Sequence, residues 1–314
     1  MARLFSFLLV LGASLPAAAQ DAKKPAPAFV ADPATGCRVW ALAPRPEEMI
    51  TWNGLCPDKL VEGPGLMQWY FSGTSNGSYE GNTHIGRFSG HGIFRWASGA
   101  VYDGEWRDGL QNGQGSRIEP DGTRYDGEWS DGHRNGRGII IWKNGNRYEG
   151  NVRNDMPEGR GVLITPTSRY EGDYHLNKPH GHGILTDATG RYEGGWRDAK
   201  YFGKGVLVLN NGGRIEGNFV DGHLNGRGQR VWANGNRYDG AFTNGWRNGL
   251  GIYEMADGRR YEGNWSNDKA HGMGIYTEAD GQSFLALFVN GCSRRDPGLP
   301  VVSVDVDMAS CAGK

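Results

Sequence analysis

Acidic residues recur at a fixed interval along this 314-residue chain, at Asp103, Asp126, Glu149, Glu171, Glu193, Glu216, Asp239 and Glu262. Arginines keep the same interval two residues ahead of them, at Arg124, Arg147, Arg169, Arg191, Arg214, Arg237 and Arg260. Two carboxylates about 5–10 Å apart around a cleft would suit glycoside hydrolysis, and a row of guanidinium groups would suit an anionic partner. The spacing argues against both. Acids that repeat with the architecture single out no buried pair, and a positive row lying beside a negative one is compensated by cross-strand charge pairs. The eight histidines, among them His91, His180, His182 and His271, are scattered over several repeat positions. They do not offer the three or four convergent ligands that a metal needs. Gly73-Thr74-Ser75-Asn76-Gly77 matches G-x-S-x-G in letters. That motif works on a strand-to-helix turn with a downstream His and acid, whereas here the stretch reads as a flexible turn in a hairpin connection. No catalytic residue, metal ligand or cofactor is expected, and the chemistry left is binding.

The interval is a repeat. With the leading aromatic as position 1, units begin at Tyr79, Tyr102, Tyr125, Tyr148, Tyr170, Tyr192, Ile215, Tyr238 and Tyr261, 23 residues apart except for two units of 22. A degenerate unit begins at Trp52, with Gly54, Cys56, Gly63, Gly65 and Trp69 in register, and carries about four extra residues before Tyr79. A closing half-unit begins at Phe284, where Ala286 and Phe288 replace the usual Gly and Trp. Repeats of this kind contact only their neighbours, so length alone does not set the number of domains.

Each unit reads as a β-hairpin. Tyr102, Gly104 and Trp106 alternate with polar residues, the period of a strand with one buried face. Tyr125, Gly127 and Trp129, then Tyr238 and Gly240, then Tyr261, Gly263 and Trp265 repeat the alternation. Asp108-Gly109 opens a turn-rich connection to Gly113, and the second strand runs from Gly113 and Gly115 onward. Glycine weakens a strand interior, so Gly104, Gly115 and their equivalents need a reason. Bare backbone there gives a neighbouring Tyr or Trp ring a floor to lie on, and a one-layer sheet builds its own thin core.

Units such as YDGEWSDGHRNGRGIIIWKNGNR from Tyr125 and YEGNWSNDKAHGMGIYTEADGQS from Tyr261 closely resemble the MORN repeat family, and the resemblance covers about three quarters of the chain. It implies an all-β fold: an elongated, single, twisted antiparallel sheet of successive β-hairpins, with a groove along it. It also implies a scaffold that binds protein partners, often as a homodimer; lipid binding is contested in the family. Thr83, Val152 and Tyr174 depart from the pattern in place of Trp, and Pro166-Thr167-Ser168 lacks the turn glycine. These units are expected to bend the sheet or form a contact site.

Composition bounds the partners. A formal net charge of −1 offers no strong pull on nucleic acid or anionic membranes, and none is assigned to nucleic acid. With 11 Trp, 13 Tyr and 11 Phe the chain is too aromatic for disorder, despite a mean hydropathy of −0.59. Fifty-two glycines without a Gly-X-Y period favour a turn-rich β protein. The tryptophans at position 18, Trp69, Trp96, Trp142 and Trp232, are candidates to line an open groove for a peptide strand, a partner's aromatic anchors or a glycan face.

The ends carry the remaining signals. Arg3, the apolar run Leu4 to Ala13 and the Ala17-Ala18-Ala19 pattern read as a signal peptide over residues 1–20, too short to span a bilayer. Residues 21–36 read as a mobile linker, 37–51 as an N-terminal cap, 52–283 as ten repeats, and 284–314 as a closing strand and C-terminal cap containing Val301-Val302-Ser303-Val304-Asp305-Val306-Asp307. The four cysteines allow three pairings. Cys37 with Cys56 and Cys292 with Cys311 would close loops of about 20 residues, each worth roughly 3 kcal/mol, and pin the two ends. Bridges and leader together suit a periplasmic or secreted protein. The expected function is a non-enzymatic protein-interaction scaffold of the cell envelope. The alternative is a membrane-lipid or envelope-glycan binder that uses groove aromatics and the Arg row.

Overall fold

The computed structural model describes residues 26–293. The leader, the start of the linker, the Val301–Asp307 segment and Cys311 lie outside the described residues. Two compact units divide the chain: one runs to Pro166 and takes in Tyr174–Asn177, and the other holds Thr167–Asp173 and everything from Lys178. Within each, β-strands pair antiparallel with their neighbours in sequence, so the all-β hairpin architecture is present in both.

The unit at Tyr102 shows why the repeat is 23 residues long. A seven-residue strand, Val101–Arg107, meets a nine-residue strand, Leu110–Ile118, through a two-residue turn; five residues then lead to the next strand at Arg124. Asp108 and Gly109 both have positive φ, 52° and 83°. That is the type I′ turn whose twist matches paired strands. The connection is therefore shorter than the sequence suggests, and the second strand starts at Leu110 rather than Gly113. Gly113 serves the backbone instead. The ladder slips between Gly104–Gly115 and Trp106–Gln111, and Gly113 takes a φ of 71° in the bulge. In the 22-residue unit at Tyr148 the missing residue comes from the loop, since Arg147–Arg153 and Met156–Ile164 keep their lengths.

The floor at Gly104 and Gly115 carries the unit's own tyrosine. A Cβ on Gly115 would come within 2.6 Å of Tyr102 Cζ, and one on Gly104 within 2.7 Å of Tyr102 Oη. The fully buried Tyr102 lies across both and donates its hydroxyl to the Glu105 carbonyl at 2.9 Å. Tyr125, Tyr148, Tyr170, Tyr192, Tyr238 and Tyr261 make the same bond to the carbonyl three residues on. Trp52 does likewise, lying against Gly54 and Gly65 while its Nε1 donates to Leu55 O at 2.8 Å. In the unit at Ile215, which has no phenol, Leu224 occupies the floor against Gly217 and Gly228.

Position 5 ties units together. Trp106 Nε1 donates to Gly92 O of the preceding unit at 3.0 Å, and its ring meets Tyr102 and Tyr79 edge-on at 5.1 and 5.7 Å. Trp129 and Trp196 repeat this arrangement, as does Trp265. The core is thus a ladder of alternating edge-to-face rings. Turns are bonded as well: the second turn residue donates its N–H to the preceding hairpin, as in Gly109 to Phe88 O at 2.9 Å and Gly245 to Leu224 O at 2.8 Å.

At the start, part of the segment read as a linker is structured. Ala28–Ala31 pairs with Arg38–Ala41, and the buried Asp32 accepts from the backbone N–H of Ala34, at 2.8 Å, and of Trp52, at 3.3 Å. Burial raises the Asp32 pKa, but these hydrogen bonds outweigh it and hold the carboxyl below its usual value. Cys37 and Cys56 form a disulfide with Cα atoms 5.8 Å apart. Cys292 is also disulfide-bonded. Gly73–Gly77 is no loose turn, because Thr74–His84 is an 11-residue strand; the extra residues of the first unit lengthen this hairpin about its Ser72-Gly73 turn.

Candidate functional site

With the rings filling one face of the sheet, the other face carries positions 2, 4, 13 and 15, and it is here that the repeats differ. Along most of the chain this face combines ion pairs on the leading strands with a half-buried aliphatic side chain at position 15, such as Ile139, Val162 and Val206. Arg124 pairs with Asp126 at 2.7 Å, Arg147 with Glu149 at 2.6 Å, Arg191 with Glu193 at 2.8 Å and Arg214 with Glu216 at 2.6 Å. Each pair lies within one strand at i and i+2, not across strands as the sequence suggests, because a period of two brings these side chains to the same face. Exposed pairs of this kind contribute little to stability, and they neutralise most of the Arg row, Arg237 excepted because Asp239 pairs with Arg227.

Position 13 then changes character. It holds Gln114, Arg137, Arg160, His182, Lys204 and Arg227 in turn, and afterwards Leu250 and Met273. Leu250 is 70% exposed and Met273 50%. Ile275 pairs with Leu285 and Met273 with Leu287, while Ile252 and Leu250 face them across Glu262 and Asn264 of the intervening strand. Leu250, Ile252, Met273, Ile275 and Leu285 line, together with Ala241, a shallow open groove of about 540 Å³ that also holds Arg227, Asp239 and, between Ile252 and Ile275, Glu262. Asp239 accepts from Arg227 at 3.3 Å and from Gln229 at 2.8 Å, and Glu262 pairs with Arg260 at 2.7 Å, so these charges are already paired. The groove floor is backbone, at Gly240, Gly251, Gly263 and Gly274.

The four position-18 tryptophans lie elsewhere. Trp69 is buried, while Trp96, Trp142 and Trp232 are half-buried, and no ring contact among the described residues joins any two of them. Trp96 lies under the Arg117 guanidinium at 4.7 Å, and Trp232 under Arg230 at 4.8 Å. Trp232 also belongs to a cage with Tyr238, Tyr253 and Trp265 around the buried Arg247, whose Nε pairs with Asp268 at 3.2 Å. The half-exposed Trp246, on the strand that bears Leu250 and Ile252, gave no signal in the sequence pattern. Leu250 and Met273 did carry one, the change of residue type at position 13.

No set of three or more His, Cys, Asp or Glu side chains suited to a metal occurs among the described residues. The histidines make pairs: His133 Nδ1 lies 2.7 Å from Asp155, His175 Nδ1 3.0 Å from Glu158 and His91 Nε2 3.0 Å from Asp103. Burial works to raise the Asp155 pKa, but bonds from His133 and Arg134 bring it below the usual value.

Nine consecutive stretches, the first at residues 79–101 and the last at 261–283, match the MORN repeat model, over more than half of the chain. The chain belongs to the MORN repeat family. Repeats of this kind are in general interaction modules for proteins or membranes and not catalysts. No curated protein matches the chain. Among solved structures, the SAS-4 (dCPAP) TCP domain of Drosophila melanogaster, in complex with a proline-rich motif of Ana2 (dSTIL), is 14% identical, over 55% of this chain and 83% of that one, at a TM-score of 0.23. BamB from Moraxella catarrhalis is 12% identical over 78% and 95% at a TM-score of 0.14, and streptogramin B lyase 11% over 77% and 88% at 0.15.

Proposed function

We propose that this MORN repeat protein is an exported, non-enzymatic scaffold that holds a protein partner in the cell envelope through the groove between Leu250 and Leu285. The groove carries this reading. It is the place where position 13 of this face turns aliphatic, so that Leu250 and Met273 join Ile252, Ile275 and Leu285 around Glu262, and exposed apolar patches mark association surfaces. The occupant that fits is an extended segment with apolar residues on one side, since Leu250 and Ile252, like Met273 and Ile275, share one face by strand periodicity. The Cys37–Cys56 disulfide supports an oxidising compartment, and no helix among the described residues is long and apolar enough to cross a membrane. The largely neutralised Arg row weighs against binding to anionic lipid or glycan by charge.

A photo-crosslinking residue at Leu250 or Met273, compared with one at Gln114 or Arg137, tests this in the native envelope. A discrete protein adduct at the first two positions alone is expected. Equal labelling at all four, or co-sedimentation with liposomes or peptidoglycan that survives high salt, would overturn it.

A further inference from the structure

Position 13 turns from cationic to aliphatic within one compact unit, where Lys204, Arg227, Leu250 and Met273 hold it in four successive hairpins. Opposite the first three, on the strands that follow, stand Asn218, Ala241 and Asn264. Position 4 is acidic earlier in the chain, at Glu105, Glu128 and Asp173, and carries no acid from Gly195 onward. The two cations are therefore weakly compensated. Lys204 is exposed and joins no ion pair among the described residues. The Arg227 side chain is 85% exposed, and its 3.3 Å contact is to an Asp239 that also accepts from Gln229. The acids beside this row are engaged elsewhere, Glu216 by Arg214 at 2.6 Å and Glu262 by Arg260 at 2.7 Å. A path along position 13 thus runs from positive to apolar without meeting an acid.

We infer that the partner's segment crosses the strands along this path, with acidic side chains over Lys204 and Arg227 and apolar ones over Leu250 and Met273. This deepens the reading of the groove as the binding surface and rests on it. Charge complementarity selects the occupant. A wholly apolar segment would leave the two cations without partners, and a basic one would be repelled by them. Spacing selects its backbone. Successive position-13 residues are two strands apart, or about 10 Å. Three residues of a polyproline II chain advance about 9 Å and bring the side chain back to the same side, whereas residues i and i+3 of a β-strand point to opposite sides. The occupant therefore makes one contact every third residue, and its two acids lie together at one end. That order sets which end of the segment lies over which hairpin.

Selection from a library of random short peptides, displayed on phage against the mature chain, tests this. Enriched peptides should share two acids and two apolar residues, each three residues from the next, with the acids adjoining. Synthetic copies should bind Lys204→Glu at least tenfold more weakly, and selection against that variant should turn the outermost acid into a basic residue. Met273→Asp should abolish binding. Both substitutions lie at exposed positions, and an unchanged near-ultraviolet circular dichroism spectrum is the control for folding. A copy of the same composition with two-residue spacing should bind no better than a scrambled one. The two readings fail separately. Peptides that need Leu250 and Met273 but are indifferent to Lys204→Glu and Arg227→Gln leave the groove standing and overturn the inference, as do peptides with alternate spacing. Peptides that need the cations and not the aliphatic residues overturn both. If nothing is enriched the inference falls, and the crosslinked adduct at Leu250 then decides the groove reading alone.

Discussion

Substituting the two floor glycines of one unit separates the proposed cause of their presence from mere backbone flexibility. Gly→Ala at a position whose φ suits both residues ordinarily stabilises a protein by about 0.4–1 kcal/mol. At Gly115 the sign should reverse. The three atoms nearest to an added Cβ all belong to the Tyr102 phenol, its Oη and, at 2.6 Å, Cζ and Cε2, so the ring must leave its seat. Tyr102 is 0% exposed, and losing a buried aromatic of this size costs about 3–5 kcal/mol. Gly115→Ala should therefore cost about as much as Tyr102→Ala. In a Tyr102→Ala background the obstacle is gone, and Gly115→Ala should cost less than about 1 kcal/mol, a coupling of several kcal/mol between the two sites. Gly104→Ala should not be rescued in this way, because its Cβ also meets backbone: Gly115 Cα at 2.5 Å and Gln114 O at 2.7 Å. Urea denaturation followed by tryptophan fluorescence gives all five values. Additive costs at Gly115 and Tyr102 would refute the seat.

Three further outcomes are expected. Burial pushes the Tyr125 and Tyr261 hydroxyls up to about 12, and those of Tyr102, Tyr148 and Tyr238 higher still. A raised folded pKa gives stability that is fully present below the unfolded value of about 10 and is lost as pH rises through the folded one. Near-ultraviolet absorbance should show these tyrosines ionising only as the sheet unfolds in strong base, and smooth ionisation of every tyrosine near pH ~10 in folded protein would contradict it. Trp106→Phe keeps a ring in the ladder but loses the bond to Gly92 O, so denaturation should ease by about 1 kcal/mol; an unchanged midpoint would show that bond to be idle. Ala199 holds a φ of 65° in its turn, so Ala199→Gly should raise thermal stability by about 1 kcal/mol, and a fall in melting temperature would count against the turn assignment.

The repeat, its hairpin period and the presence of an aromatic on glycine were legible in the sequence because a strand of alternating Tyr, Gly and Trp has few other solutions. Which ring lies on which glycine was not, since that depends on register, and Gly104–Gly115 pairing brings the two bare positions under the unit's own Tyr102. The job of Gly113 was hidden for a related reason: a glycine needed for φ and one needed for space look alike in a string of letters. The charge rows were visible, but their partners follow from the face that i and i+2 share. The groove required both kinds of information. Leu250 and Met273 are unremarkable as single residues, and become conspicuous once position 13 is known to point away from the rings.

The bonds between successive turns have a practical consequence. At the turn edge, each second turn residue is committed to the preceding hairpin, so a residue inserted between Asp108 and Gly109 would disturb the Gly109 bond to Phe88 as well as its own turn. The opposite edge already tolerates a change of length, because the unit at Tyr148 has given up a loop residue while both its strands stay whole. Epitopes, reporter domains or whole extra units should therefore be spliced at loops such as Glu119–Thr123. Gain or loss of a unit in this lineage should have its breakpoints there too.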